Sequence, residues 1–287
     1  MLSNKIFLND NLVDIEEAKI SVFDRGYLFS DGIYELIPFF KGKPFLLEDH
    51  YQRLERSLDM VDISNPYSKA EWKDKIDRFT KENDYKNFSL YIQITRGVPS
   101  DFSDGIFREH AATKKYTSSV TMFTSEIKGF PSFAPKREKA IILDDKRWLQ
   151  CDIKSISLIY NAYAKTLASR SEAYEAILVR NNNITEGCSS NVFIVKDSVI
   201  KTCPKTNLIL PGITRSFIIN QIIKKNNYKF KEENFSLDEL KSADEIFVTN
   251  STQGVIEINK LDDKEIGNGE FGPISKKIYE NFVESVN

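Results

Sequence analysis

Arg147-Trp148-Leu149-Gln150-Cys151-Asp152-Ile153-Lys154 connects an apolar strand, Ala140-Ile141-Ile142-Leu143, to a helix expected from about Ser157 to Ala173. Apolar run and helical spacing on either side of one short stretch mark a strand-to-helix connection. Lys154 lies at its end, flanked by apolar Ile153 and Ile156. A lysine in apolar surroundings loses part of its hydration, which favours the neutral amine that can attack an aldehyde. A surface lysine at a helix start reads the same way. In a chain with 40 basic residues this segment alone does not separate the two.

Working towards the N-terminus, Gly129-Phe130-Pro131-Ser132-Phe133-Ala134-Pro135 has neither helical nor strand periodicity and reads as a linker. The chain therefore divides into an N-terminal domain over 1–128, a linker over 129–135 and a second domain over 136–287. In the first, Lys5-Ile6-Phe7-Leu8, the turn Asn9-Asp10-Asn11 and Leu12-Val13 predict a hairpin. Ile33 to Phe40 and Phe88 to Thr95 predict strands. Tyr51, Leu54, Leu58 and Val61 give a helical stripe, and Glu71 to Asn83 gives another. This is a mixed α+β unit. Beyond the linker, Ala176-Ile177-Leu178-Val179, Asn191 to Val195 and Glu245 to Thr249 predict strands, and a helix follows Gly212.

Composition narrows the chemistry. The 287 residues carry 40 basic and 42 acidic side chains, a net charge of −2, with no basic tract to track phosphates, so nucleic acid is not an expected partner. No apolar run reaches the length that crosses a bilayer. Met1-Leu2-Ser3-Asn4-Lys5 opens directly into strand-like sequence, unlike a signal peptide, and a cytoplasmic protein is expected. Cys151, Cys188 and Cys203 are irregularly spaced and read as packing thiols. With His50 and His110 the only histidines, a Ser-His-Asp hydrolase or a zinc hydrolase has few residues to work with. A lysine, a carboxylate or a bound cofactor must handle protons and electrons.

Three further segments bear on that. Asn181 to Asn191 places Glu186 in a hairpin between two apolar strands, where a poorly solvated carboxylate can hold a proton on a pyridine nitrogen; a plain turn glutamate is the alternative. Leu208-Ile209-Leu210-Pro211-Gly212-Ile213-Thr214-Arg215 opens a helix whose first amides at Ile213 and Thr214, with the Thr214 hydroxyl, suit a phosphate dianion; a simple N-cap threonine also fits. Thr249-Asn250-Ser251-Thr252-Gln253-Gly254 offers more donors, or an ordinary strand-ending turn. Arg53 is the arginine best placed by pattern to complement the phosphate, though alone it is an unremarked helix residue.

Taken together these residues make an amine, a ring-nitrogen acid and a phosphate cup. Asp24-Arg25-Gly26-Tyr27, Asp31-Gly32-Ile33-Tyr34-Glu35, His50-Tyr51-Gln52-Arg53-Leu54, Arg147 to Lys154, Thr185-Glu186-Gly187, Ser190-Asn191-Val192-Phe193 and Pro211 to Arg215 resemble the class IV aminotransferases, in order and over nearly the whole chain. Within that family the likeness is nearest to D-amino-acid aminotransferases. The resemblance implies a two-domain α+β fold, with a smaller N-terminal domain and a larger, β-rich, barrel-like C-terminal domain with helices. It implies pyridoxal 5'-phosphate as cofactor and a homodimer. It also implies that Lys154 forms the Schiff base, that Glu186 pairs with the ring nitrogen, and that Arg53, Ile213, Thr214 and Ser251 hold the phosphate. Tyr34 matches an active-site tyrosine near the substrate carboxylate, and His50 helps set the Arg53 helix without a catalytic role.

One departure concerns the substrate. D-alanine aminotransferases carry an Arg-x-His pair in the loop that follows Thr95-Arg96-Gly97, where it receives the substrate α-carboxylate; here Asp101 and Ser103 align with it. An aspartate repels a carboxylate, so either Arg96 or Arg108 substitutes or the substrate differs. The expected reaction is transamination between an amino acid, D-alanine or D-glutamate among them, and a 2-oxo acid. L-branched-chain transamination and pyruvate elimination from an aminated chorismate are the alternatives.

Overall fold

The computed structural model describes residues 5–81, 83, 85–103, 105, 108–129 and 135–287, so residues 130–134 of the expected linker lie outside the described residues. The chain forms two compact units, residues 1–128 with 153–157, and residues 129–152 with 158–287. Among the described residues no helix is long and apolar enough to cross a membrane.

The first unit is built on a six-stranded antiparallel sheet. Its elements are β1 (Lys5–Leu8), β2 (Asn11–Asp14), α1 (Arg25–Phe29), β3 (Gly32–Phe40), β4 (Lys43–Pro44), α2 (Leu47–Asp59), α3 (Lys69–Lys81), β5 (Phe88–Pro99) and β6 (Tyr116–Glu126), with strand order β2-β1-β6-β5-β3-β4. Asn9 and Asp10 both take positive φ, which lets the two-residue turn follow the twist of β1 and β2. One sheet face, with Ile33, Ile37, Leu90, Ile92, Ile94 and Met122, packs on Leu54 and Leu58 of α2 and on Trp72, Ile76 and Phe79 of α3. Helix α2 also buries a polar stripe, His50, Arg53 and Ser57, along the same side as its leucines. The other sheet face carries the half-buried Tyr34, Leu36, Tyr91, Gln93, Thr121 and Phe123.

Ile153–Ser157 belongs to this first unit, whereas the sequence pattern puts it in the domain beginning at 136. The reason is backbone pairing with the start of β3. Tyr34 N–H donates to the Lys154 carbonyl at 3.0 Å and Ile156 N–H to the Gly32 carbonyl at 3.0 Å. The side chain of Ile153 joins the first unit's core. Gly32 permits the approach, since a Cβ there would lie 2.8 Å from the Ile94 carbonyl oxygen and 3.0 Å from the Ile156 side chain.

The second unit contains β7 (Arg137–Asp144), α4 (Ile159–Arg170), β8 (Glu175–Arg180), β9 (Asn183–Gly187), β10 (Asn191–Lys196), β11 (Val199–Thr202), α5 (Ile213–Phe217), a π-helical turn (Ile218–Ile223), β12 (Lys229–Glu232), α6 (Leu237–Lys241), β13 (Glu245–Asn250), β14 (Gly254–Leu261), β15 (Lys264–Glu265) and α7 (Pro273–Val286). Its nine-stranded sheet has the order β12-β11-β10-β13-β14-β7-β8-β9, with β15 on β14, and it curls so that β9 packs back against β10. That is the barrel-like domain expected from the family resemblance. Strands β7 and β8 pair in parallel, as a strand-helix-strand crossover requires. Ile177, Val192, Ile194, Ile246, Val248 and Ile256 fill one core, and Ala164 and Ala168 of α4 pack on Ile141, Ala176 and Leu178 in another. Helix α7 and the π-helical turn pack on each other, and α7 also covers β13 and β14.

Candidate active site

In the first unit, Lys154 is fixed through its backbone. Its carbonyl accepts from Tyr34 N–H, and its N–H donates to the buried Ser57 hydroxyl at 3.3 Å. The Lys154 side chain then extends over β3, and Nζ lies 4.2 Å from the centre of the Tyr34 ring. A protonated amine in that position is attracted to the ring face.

Beside it lies a buried acid with two basic partners. Glu35, fully buried on β3, accepts from Arg53 Nε at 2.7 Å and Arg53 Nη2 at 2.9 Å, and its Oε2 is 2.7 Å from His50 Nδ1. Burial pushes the Glu35 carboxyl up, but the Arg53 guanidinium and the His50 ring outweigh it and hold the group well below the usual carboxylate range. Burial lowers His50, against the opposite pull of Glu35. His50 and Arg53 thus share one carboxylate, which fixes the arginine's orientation.

The two arginines expected as alternatives for the substrate carboxylate lie near the end of β5 and beyond that strand. Arg96 donates from Nε to Asp31 at 2.8 Å, from Nη1 to the Asp62 carbonyl at 2.6 Å and from Nη2 to the Val61 carbonyl at 2.7 Å, so all three nitrogens are engaged. Arg108 is exposed and lies over the Phe29 ring, 4.6 Å from its centre. The Asp101 carboxylate accepts from Ser103 N–H at 2.8 Å and from the Ser103 hydroxyl at 2.6 Å.

In the second unit, Glu186 is a β9 residue, buried to 5% exposure. Arg147 Nη1 donates to Oε1, Asn191 Nδ2 donates to Oε2 at 3.0 Å, and Leu210 N–H reaches both oxygens at 3.0 and 3.1 Å. Burial pushes the Glu186 carboxyl up to about 7, although Arg147 pulls the other way. Arg147 is itself held by Asp145, at 2.9 Å through both Nε and Nη2. Asp145 also accepts from the Thr185 hydroxyl at 2.8 Å and pairs with Arg180 at 3.1 Å. Burial raises the Asp145 carboxyl, but these donors, Arg147 first, bring it below its ordinary value.

The same unit presents a donor group. Gly212 is the N-cap of α5 and has no side chain to engage the amides of the first turn, where Ile213 and Thr214 are buried. A Cβ on Gly212 would lie 2.0 Å from Asn191 Oδ1, so glycine lets the helix start against the residue that holds Glu186. Helix α5 packs against β13, which ends at Asn250. The buried Thr249 hydroxyl on that strand has no hydrogen-bond partner among the described residues. Ser251 follows in a turn organised by Asn250 Oδ1, which accepts from Thr252 N–H at 3.1 Å and Gln253 N–H at 2.8 Å.

Sequence reasoning quoted Arg147, Asn191 and Leu210 within longer segments but gave none of them a role, and it did not single out Asp145. The available signal was Asp145 and Arg147 directly after an apolar strand, where charges need partners if they are buried. The three cysteines are free and buried, and the Cys188 thiol donates to Glu175 at 2.6 Å.

The family described as Amino-transferase class IV matches residues 32–261. The chain is 38% identical to the D-alanine aminotransferase of Bacillus licheniformis over 98% of this chain and 97% of that one. It is 39% identical to the D-alanine aminotransferase of Staphylococcus aureus (strain N315) over 98% of each. Among solved structures, a T.th. branched-chain amino acid aminotransferase with pyridoxamine 5'-phosphate superposes with a TM-score of 0.86 at 24% identity, covering 99% of this chain and 94% of that one. The Escherichia coli branched-chain amino acid aminotransferase gives 0.83 at 23% identity, covering 98% and 93%. At these identities the two structures share the fold.

Proposed function

The chain belongs to the class IV aminotransferase family and is a pyridoxal-phosphate-dependent aminotransferase; from that premise we propose that it moves an amino group between a D-amino acid, D-alanine or D-glutamate, and a 2-oxo acid, with Lys154 as the cofactor lysine. The D-alanine activity named for relatives 38% and 39% identical over nearly full length supports the substrate class.

The residues present fit the cofactor by the chemistry of their donors. A buried acid, an uncapped helix start with the Thr214 hydroxyl, a buried Thr249 hydroxyl with no partner among the described residues and a lysine on an aromatic face match an aldehyde-bearing pyridine phosphate. When bound, that group supplies the aldehyde and a cationic ring able to accept electrons from the substrate Cα. Lys154 Nζ would hold the cofactor's aldehyde carbon, and the same amine is the base available to take the proton from the substrate Cα. Glu186 holds a proton at the ring nitrogen, a role suited to a carboxyl pushed up to about 7 by burial. The Ile213 and Thr214 amides, the Thr214 and Ser251 hydroxyls and the Arg53 guanidinium hold the phosphate. Tyr34 lines the substrate side.

The observation that carries this reading is the Lys154 environment, a backbone pinned by Tyr34 and Ser57 with the amine on the Tyr34 ring. The test is Lys154→Ala, which should abolish amino transfer; turnover at the parent rate contradicts it. A second reading, an L-branched-chain or other donor, draws on the Asp101 carboxylate bonded to Ser103 where D-alanine aminotransferases carry an Arg-x-His pair. Half-reactions with D-alanine, L-alanine, D-glutamate and L-leucine separate the two. A cytoplasmic homodimer is part of the same proposal, and the exposed apolar side chains of Trp148, Leu149, Ile159 and Tyr163 support its second subunit.

A further inference from the structure

Behind Lys154, the open face of the first unit's sheet carries more aromatic surface than the amino-transfer reading uses. Tyr34 on β3 stacks on Tyr91 of β5, with ring centres 5.6 Å apart and planes at 25°. Tyr91 stacks in turn on Phe123 of β6, at 4.6 Å and 22°. Sheet register makes this possible: Tyr91 and Phe123 are direct cross-strand partners, and Tyr34 is a diagonal neighbour of Tyr91 on the same face. The Tyr91 hydroxyl, at the far end of the middle ring, donates to Gln93 Oε1 at 2.7 Å. The first ring of this row is the one whose centre lies 4.2 Å from Lys154 Nζ.

We infer that Tyr91 and Phe123 are positioning residues for the Lys154 amine, acting through the Tyr34 ring, which they hold in the plane that receives the amine. A tyrosine side chain on an open sheet face has rotamer freedom to lose; two stacked rings behind it remove that freedom before the cofactor arrives. The amine is then already placed for an incoming aldehyde. Neither Tyr91 nor Phe123 need touch substrate or cofactor for this. The inference rests on the assignment of Lys154 as the cofactor lysine.

The experiment uses Tyr91→Leu, Tyr91→Phe and Phe123→Leu in the full chain, with Lys154→Ala as reference. Two readouts are taken: the rate at which cofactor-free protein captures pyridoxal phosphate, followed by its colour, and the division of steady-state effects between kcat and KM. Tyr91→Leu and Phe123→Leu should slow capture and lower kcat by about two- to tenfold, the range that loss of an aromatic pair gives, with KM unchanged. Tyr91→Phe, which keeps the stack, should behave like the parent. Parent-like capture and kcat in Tyr91→Leu, with only a lower melting temperature, overturns the inference, and so does an equal loss in Tyr91→Phe. Should Tyr91→Leu fail to fold, Phe123→Leu carries the same two outcomes. Capture of the cofactor by Lys154→Ala at the parent rate would instead remove the lysine assignment itself.

Discussion

The Arg147 guanidinium donates to the Glu186 carboxylate while keeping two bonds to Asp145, so a single buried cation serves two buried acids. Burial and Arg147 act on Glu186 in opposite directions, and burial prevails enough to leave the carboxyl near 7.

Replacing Arg147 removes the only one of these two influences that favours the anion. Arg147→Met should destabilise the fold by about 3–5 kcal/mol, because Asp145 and Glu186 both lose a buried partner. Arg147→Lys, a point charge without the planar fork, should recover part of that. Denaturant melts of the three proteins check it.

Glu186 also sets a pH dependence of stability in the cofactor-free protein. Its folded value lies above the ordinary 4.5, so folding favours the protonated form. The contribution is therefore complete below 4.5 and is lost as pH rises through 7, by about 3 kcal/mol. Glu35 and Asp145, held below their ordinary values, act oppositely: their contribution is present above the ordinary carboxylate range and is lost as pH falls through it. Denaturant midpoints between about pH 5 and 8 should decline in the parent and stay flatter in Glu186→Gln.

Glu35 is the anchor of Arg53. In Glu35→Gln the guanidinium keeps its place in the core without a counter-charge, and cofactor affinity should fall by about tenfold, the loss expected from one misdirected charge-assisted contact. Equilibrium dialysis of pyridoxal phosphate measures this, and an unchanged Kd counts against the link from Glu35 to the phosphate.

Gly212→Ala tests the helix start. Its φ of −62° suits any residue, so strain is not the issue. The added methyl meets Asn191 Oδ1, and Asn191 must shift away from Glu186. A loss of about 1–3 kcal/mol of stability is expected, with weaker cofactor retention.

Much of this was readable from local pattern. The Asn9-Asp10 turn, the leucine stripe of α2 and the apolar strands β8, β10 and β13 follow their sequence signals because burial there is dictated by neighbours along the chain. Strand β6 was not foreseen: Tyr-Thr-Ser-Ser-Val-Thr-Met-Phe-Thr-Ser-Glu is rich in hydroxyls and shows its alternation only through Val120 and Met122. Nor was α7, whose amphipathic stripe starts at a proline that is well placed at a helix's first turn. The return of Ile153–Ser157 to the first unit depends on backbone pairing with β3, which has no side-chain signature. At the site, Lys154, Glu186 and Thr214 stood out through motif and context. The pairing of Arg147 with Asp145 and Glu186 did not, because an acid and a base two residues apart look solvated until the fold closes over them.

The most direct test is to reduce the yellow holoenzyme with borohydride and locate the pyridoxyl group by peptide mass. The account predicts a single adduct on Lys154, absent from Lys154→Ala. An adduct on any other lysine, or none in protein that transfers amino groups, contradicts it.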